Sequence, residues 1–294
     1  MLFYLFGKAA FFLFYQMRQK TFILLLFIYF ANSPVRAQSR EIMIDMINHC
    51  NSLQGYKARV EKIERIKGEL IKQVSDVKLA RHPLRIYIHQ LYPKKGVEIL
   101  CKAGSDKAIV NMNSFPWINL HLDPYGTLMR RNQHHVIYDS GFDLLASILR
   151  KELARIGNDT LGRIFYHGIV RYDGRPSYHI EMRTPDYRLV AYTVQENEDL
   201  TTIARKLNIS EYKILELNDD VDFYDDVKSG QVITVTSDYA LKMNIYIDQE
   251  YMLPLYVEVF DEEGLYESYG YTNFILNPPF AADEFSEDFE EYNF

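Results

Sequence analysis

The sequence predicts an α+β fold: a curved antiparallel half-barrel with helices, interrupted by a small βααβ module. Three observations support this prediction. Tyr and Phe are abundant, with 23 and 18 residues in a chain of 294, and such residues favour half-buried pleated surfaces. Short runs of alternating apolar and polar residues recur on both sides of a central segment. That segment, residues 192–236, instead has two helical patterns between two strand patterns.

The first 37 residues have the pattern of a secretory signal peptide. Two basic residues precede an apolar run over residues 22–30, and a small-x-small site predicts cleavage after Ala37. Met17 is an alternative start codon to Met1. The apolar run is short for a membrane span, and an uncleaved N-terminal anchor is the alternative. We therefore expect an exported, periplasmic protein.

Export changes the charge and the redox environment of the chain. Loss of residues 1–37 removes four basic residues and no acid, which moves the net charge from −7 to −11. Such an acidic protein is poorly suited to nucleic acid, whose phosphates require a basic face. Cys50 and Cys101 either pair in an oxidising compartment or remain two separate buried thiols.

The elements of the larger domain follow in chain order. Apolar residues at helical spacing predict a helix over residues 40–52. Alternating stretches then predict an antiparallel meander, with strands at 56–60, 84–88, 97–101 and 108–112. A second helix is expected at 141–156, with Ser140 as its cap.

The meander resumes after this helix and again after the module. Asp173-Gly174 predicts a hairpin between strands 165–172 and 176–183. Further strands are expected at 241–247, 255–259 and 265–271. The acidic tail from Asp283 either is flexible or folds back.

The central module resembles a LysM domain. The resemblance lies in Tyr192-Thr193-Val194, Asp199-Leu200-Thr201-Thr202-Ile203-Ala204, Ile214-Leu215-Glu216-Leu217-Asn218 and Lys228-Ser229-Gly230-Gln231-Val232-Ile233-Thr234-Val235. It implies binding of N-acetylglucosamine glycans, such as peptidoglycan or chitin, between the loop after the first strand and the loop after the second helix. The implied glycan-binding positions are Asn197, Glu198, Asp199, Leu200, Asn218, Asp219, Asp220 and Val221.

Two departures from the LysM pattern qualify this expectation. The family usually has Gly-Asp-Thr where Asn197-Glu198-Asp199 stands, although Asn tolerates the left-handed turn that Gly adopts. The second loop is unusually acidic. The alternative is therefore a module that keeps the core of the fold but no longer binds the sugar.

The flanking segments resemble lipoprotein carriers of the LolA/LolB type. The motifs are Ile247-Asp248-Gln249-Glu250-Tyr251-Met252-Leu253-Pro254-Leu255-Tyr256-Val257-Glu258, Tyr269-Gly270-Tyr271-Thr272-Asn273-Phe274 and Leu276-Asn277-Pro278-Pro279-Phe280. The resemblance implies a half-barrel whose apolar face receives acyl chains. Candidate cavity residues are Ile86, Ile88, Ile99, Val110, Ile180, Met243, Ile245 and Val257. The alternative is that they pack against the two helices.

These assignments divide the chain into four parts. Residues 1–37 are the signal peptide, 38–187 and 238–294 form the LolA-like domain, and 188–237 form the LysM-like module.

The remaining polar motifs predict no catalytic residue, metal or cofactor. His134 and His135 would point to opposite faces of a strand, and no further ligand has zinc-site spacing. Asp248 and Glu250 are expected to be a solvated pair at a turn. We therefore expect a non-catalytic envelope protein that binds peptidoglycan and an apolar ligand, lipid or a lipoprotein acyl chain. Alternatives are a protein-binding structural envelope factor with a degenerate module and, more weakly, a wall-glycan hydrolase.

Overall fold

A computed structural model describes residues 38–102, 104–115, 117–157 and 159–294. The predicted signal peptide and its cleavage site after Ala37 lie outside the described residues. None of the helices in the described ranges has both the length and the apolar character that crossing a membrane requires.

One open antiparallel sheet of eleven strands dominates the described chain. Its first part contains β1 (Gly55–Ile66), β2 (Glu69–Ala80), β3 (Arg85–Tyr92), β4 (Glu98–Lys102), β5 (Ala108–Asn111), β6 (Asn119–Leu122), β7 (Ile164–Tyr172) and β8 (Arg175–Arg183). The smaller module contributes β9 (Leu189–Thr193) and β10 (Val232–Thr236). The large sheet is completed by β11 (Lys242–Asp248), β12 (Pro254–Asp261) and β13 (Gly264–Leu276).

The sheet is continuous across the module, because strands from before and after it are hydrogen-bonded. β11 pairs with β8, with Ile245 opposite Ile180, and β13 pairs with β1. The strand order is β6-β5-β4-β3-β2-β1-β13-β12-β11-β8-β7. The module therefore enters and leaves the sheet at neighbouring strands, and the predicted fold class is confirmed. We keep 188–237 as the proposed limits of the module.

Two helices cover one face of the large sheet, the helix-covered face. α1 spans residues 38–52, the short α2 spans Thr127–Arg130, and α3 spans Asp143–Ile156. α1 and α3 bury Met43, Met46, Ile47, Cys50, Ala146, Leu149 and Leu153 in the core with residues of the strands. Burying a large apolar side chain contributes about 1.5–3 kcal/mol, so this contact stabilises the packing of both helices on the sheet.

The predicted Ser140 cap of α3 is wrong. Phe142 occupies the N-cap position without a side-chain cap. Ser140 instead ends a 3₁₀ turn over Ile137–Asp139, where its backbone N–H donates to the Ile137 carbonyl. The turn therefore holds Ser140 two residues too early to reach the helix.

The acidic tail folds back on the opposite face of the sheet, the tail-covered face. Phe285 is buried there with Tyr87 and Leu100, and Tyr87 stacks on Tyr292 at 3.7 Å. The Glu284 carboxylate forms an ion pair with the Lys78 ammonium at 3.1 Å. Side chains alternate between the two faces along β3 and β4, so some apolar residues point away from the helices. The tail shields these residues from water.

Cys50 and Cys101 are separate buried thiols. Burial raises the pKa of Cys50 to about 12 and also raises the pKa of Cys101. A buried neutral thiol behaves as a small apolar side chain. The structure therefore agrees with the unpaired alternative.

Candidate functional site

The module between β8 and β11 closes its own small core. Its strands β9 and β10 pair antiparallel, and between them lie α4 (Leu200–Leu207) and α5 (Glu211–Glu216). Its buried residues are Val194, Leu200, Ile203, Ala204, Ile209, Ile214, Val221, Tyr224, Ile233 and Val235. Two loops, residues 194–199 and 217–231, lie at the same end of the two-stranded sheet.

The first loop is held in a fixed shape by its own polar side chains. Asn197 adopts a left-handed conformation, φ 61°. Glu198 accepts from the Gln195 N–H at 2.9 Å and pairs with Lys206 at 2.7 Å. The Lys206 ammonium, the Gln195 N–H and the Tyr192 hydroxyl lower the pKa of Glu198 to about 2. Asp199 begins α4 with a reciprocal capping box to Thr202.

The second loop is fastened by Asn218, which lies in the interior of the module. Its amide donates to the Ile214 carbonyl at 2.7 Å and to the Thr234 carbonyl at 2.8 Å. Its carbonyl oxygen accepts from the Thr234 N–H at 2.8 Å. One side chain thus joins α5 to β10. The next residues, Asp219 and Asp220, are exposed.

Buried charges fasten the module to the larger domain, both through α5 and beside Tyr224 of the second loop. Arg130 forms an ion pair with Glu211 at 2.5 Å, and its guanidinium lies 3.1 Å from the centre of the Tyr224 ring. Lys213 pairs with Asp261 at 2.9 Å, which also accepts from Arg65. Buried pairs of this kind fix relative orientation because separating them leaves unpaired charges.

Comparison with known protein families gives two matches along the chain. Residues 192–236 match the LysM domain, and residues 53–198 match a family described as Protein of unknown function (DUF1571). The chain combines a DUF1571 domain with a LysM domain. No curated protein matches the sequence.

Solved structures resemble the chain distantly. A crystal structure of MucB is 12% identical with a TM-score of 0.45, over 85% of this chain and 62% of that one. The chain therefore spans less than two thirds of that MucB chain. The Mycobacterium tuberculosis lipoprotein LppX is 12% identical with a TM-score of 0.41, over 84% and 99% of the two chains. A putative outer membrane lipoprotein-sorting protein domain from Vibrio parahaemolyticus is 10% identical with a TM-score of 0.34, over 86% and 97%.

The eight residues predicted to bind glycan in the LysM domain divide into three groups by exposure. Asn197, Asp219 and Asp220 are exposed at the rims of the two loops. Glu198 and Asp199 are half-buried and hold the first loop in shape, while Leu200, Asn218 and Val221 are buried. The structure thus brings the two loops to one end of the domain, but three of the predicted residues support them from within. Lys206, Tyr192 and Thr234 were missed, because their role depends on contacts between elements.

The eight predicted cavity residues lie on the helix-covered face of the sheet. Ile86, Ile180, Met243, Ile245 and Val257 are buried in the core that α1 and α3 complete, while Ile88 and Ile99 are half-buried beside it. Val110 is 4% exposed. A small void of about 10 Å³ borders this core at Met182 and Met243, which is room for about one water. An acyl chain would therefore have to displace a helix or lie over Ile88 and Ile99.

A buried polar cluster lies where the LysM domain meets the sheet. His134 and His135 both contact the same oxygen of Glu267, at 2.8 and 3.1 Å. The expectation that they face opposite ways is wrong, because they lie in a turn rather than in a strand. Burial alone would lower the pKa of His135, but Glu267 raises it to about 9. Burial would raise the pKa of Glu267, but the two histidines hold it well below its usual range.

Within the described chain this cluster also gives one grouping with metal-ligand atoms, Glu64, His134 and Glu267, spaced within 4.8 Å of one another. The second ring nitrogen of His134 lies 2.8 Å from the Arg65 carbonyl. Both nitrogens of His134 therefore lie within hydrogen-bond distance of protein oxygens and are not free to bind an ion. This hydrogen bonding fits a structural ion-pair cluster better than a metal centre.

Asp248 and Glu250 do not form a solvated pair. Asp248 is fully buried and pairs with Arg175 at 2.6 Å, while Glu250 is exposed. Asp248 also accepts from the backbone N–H groups of Glu250 and Tyr251. It therefore stabilises the turn between β11 and β12, with both oxygens occupied.

Proposed function

We propose that this protein is a non-catalytic cell-envelope protein whose LysM domain binds N-acetylglucosamine glycan of peptidoglycan. The observation that carries the proposal is the placement of the two loops. Residues 195–197 and 219–220 are exposed at one end of the LysM domain, while α5 on another side is held against the large sheet by the Lys213–Asp261 pair. A wall polymer can therefore reach the loops without displacing any part of the chain.

The polar groups of the two loops suit an uncharged glycan chain. Asn197 keeps the left-handed turn, which leaves backbone N–H and C=O groups available to an N-acetyl group. The Glu198 contacts preorganise that turn, so little conformational entropy is lost on binding. Asp219 and Asp220 place negative charge on the opposite rim, and we therefore expect weaker binding to polymers rich in carboxylate or phosphate.

Cosedimentation with insoluble peptidoglycan tests the proposal. Asp219→Tyr adds a bulky ring at the exposed rim and should weaken retention about tenfold, equivalent to about 1.4 kcal/mol. Leu189→Tyr is the matched control, since Leu189 is 48% exposed at the far end of the two-stranded sheet. Equal retention of both variants and the parent protein would refute the assignment of the binding loops.

We further propose that the large sheet holds an apolar ligand, lipid or a lipoprotein acyl chain. Support comes from Ile88 and Ile99, which are only half-buried at the margin of the core. Mass spectrometry of lipid extracted from the purified protein tests this step. An Ile88→Asn variant should carry less lipid, and an absence of lipid from the parent protein would favour a surface that binds another protein.

A further inference from the structure

A second pocket opens on the sheet domain at the end of β4, β5 and β6. Its volume is about 340 Å³, within the range of small-ligand sites. It lies between the β5–β6 loop and the end of the folded tail. The lining residues are Asn111, Asn113, Trp117, Asn119, Asn293 and Phe294.

Four asparagines line the pocket, and only the side chain of Asn111 forms hydrogen bonds that hold its wall together. The Asn111 amide donates to the Asn293 carbonyl, and its oxygen accepts from the Asn113 N–H at 2.7 Å. The Asn293 N–H in turn donates to Glu98 at 2.9 Å. No side-chain hydrogen bond is formed by Asn113, Asn119 or Asn293 to any described residue. Three amide groups, each a donor and an acceptor, are therefore available to a ligand.

The loop that carries Trp117 is held in a conformation that costs energy. Trp117 has φ 51° and Asn113 has φ 47°, a left-handed region that side chains with a Cβ seldom adopt. Gly96 leaves room for the Asn113 side chain, since a Cβ at position 96 would lie 2.2 Å from the Asn113 side-chain amide nitrogen. Strain of this kind concentrates at ligand-binding positions.

Trp117 is exposed although its size favours burial. Its side chain is 70% exposed, and its neighbour Phe115 is 81% exposed. The two rings meet edge to face at 5.5 Å. An indole beside unpaired amides offers a flat apolar surface next to hydrogen-bonding groups.

We propose that this pocket binds a neutral N-acetylated saccharide, with Trp117 under the sugar ring and the amides of Asn113, Asn119 and Asn293 on its polar groups. No charged side chain lines the pocket, which disfavours phosphate or carboxylate ligands. The three free amides disfavour an acyl chain, because burying them against hydrocarbon leaves them unpaired. The choice of an N-acetylated sugar rests on the proposed function.

Intrinsic fluorescence tests this site separately from the LysM domain, because Trp117 is the single tryptophan of the chain. We titrate the mature chain with the trimer of N-acetylglucosamine. The expected result is a saturable change in emission that Asn119→Leu and, independently, Asn293→Leu each weaken about tenfold. Asp219→Tyr in the LysM loop should leave the titration unchanged while it weakens retention on peptidoglycan.

The outcomes separate the two proposals. A saturable change in the Trp117 emission with no retention on peptidoglycan would support ligand binding in this pocket. It would overturn the proposed binding of peptidoglycan by the LysM domain. No change in emission, or a change that both asparagine variants leave intact, overturns the pocket whatever the LysM domain does. A response to vesicles of anionic phospholipid without one to the trimer also overturns it, in favour of a membrane contact.

Discussion

The ion pair between Arg130 of α2 and Glu211 of α5 helps to hold the LysM domain on the larger domain. Their side chains are 3% and 7% exposed, and Arg130 also donates to Thr201 at 3.2 Å. Arg130→Met leaves the Glu211 carboxylate buried without its partner, which costs about 3–5 kcal/mol. Loss of the contact with Tyr224 adds about 1–2 kcal/mol. We therefore expect this single change to remove a large share of the stability of the chain.

A double-mutant cycle measures the pair by urea unfolding followed with circular dichroism. Glu211→Gln should also destabilise the chain, and the double variant should lose less than the sum of both, by about 1.5–3 kcal/mol. Arg59→Met is the control, because Arg59 and Asp76 form an exposed pair with 43% and 44% exposure. Its cost should stay below about 1 kcal/mol. If Arg130→Met costs no more than this control, the reasoning about the buried pair is refuted.

Two further predictions concern the interior of the chain. The pKa of His135 is raised from 6.5 to about 9, so its stabilisation of up to about 3 kcal/mol is complete below pH 6.5 and lost as pH rises through about 9. The free energy of unfolding should fall between these pH values, and a parallel fall in His135→Gln would contradict the assignment. Asn218→Ala removes the three hydrogen bonds that join α5 to β10 and should cost about 3 kcal/mol. Loss of glycan retention in this variant at unchanged unfolding midpoint would show instead that Asn218 contacts the ligand.

Much of the sheet was predictable because it alternates regularly. The hairpin at Asp173-Gly174 joins β7 and β8 as expected. The strand β2 was missed, because its central residues are half-buried and polar ones interrupt the alternation. β6 was missed for a similar reason, since a four-residue edge strand carries little periodicity. Strands were thus predictable where one face of the strand is apolar and the other is polar.

The site was less predictable, because its residues act through tertiary contacts. The tolerance of Asn for the left-handed turn correctly predicted the conformation of Asn197. In contrast, position in a loop gave no sign that Asn218 points inward to Thr234. Nor did spacing indicate that His134 and His135 share Glu267, since β13 lies more than 130 residues away along the chain. Propensity describes local backbone, whereas side-chain partners depend on the assembled fold.

We propose that the exposed loops of the LysM domain bind glycan while the rest of the chain stays in place. Backbone amide chemical shifts of the mature chain, recorded during titration with an N-acetylglucosamine oligomer, test it residue by residue. We expect saturable shifts at residues 195–199 and 219–221, and unchanged shifts at Lys213 and Asp261 in the buried contact. Shifts confined to the contact, or none in either loop at saturating oligomer, would contradict it.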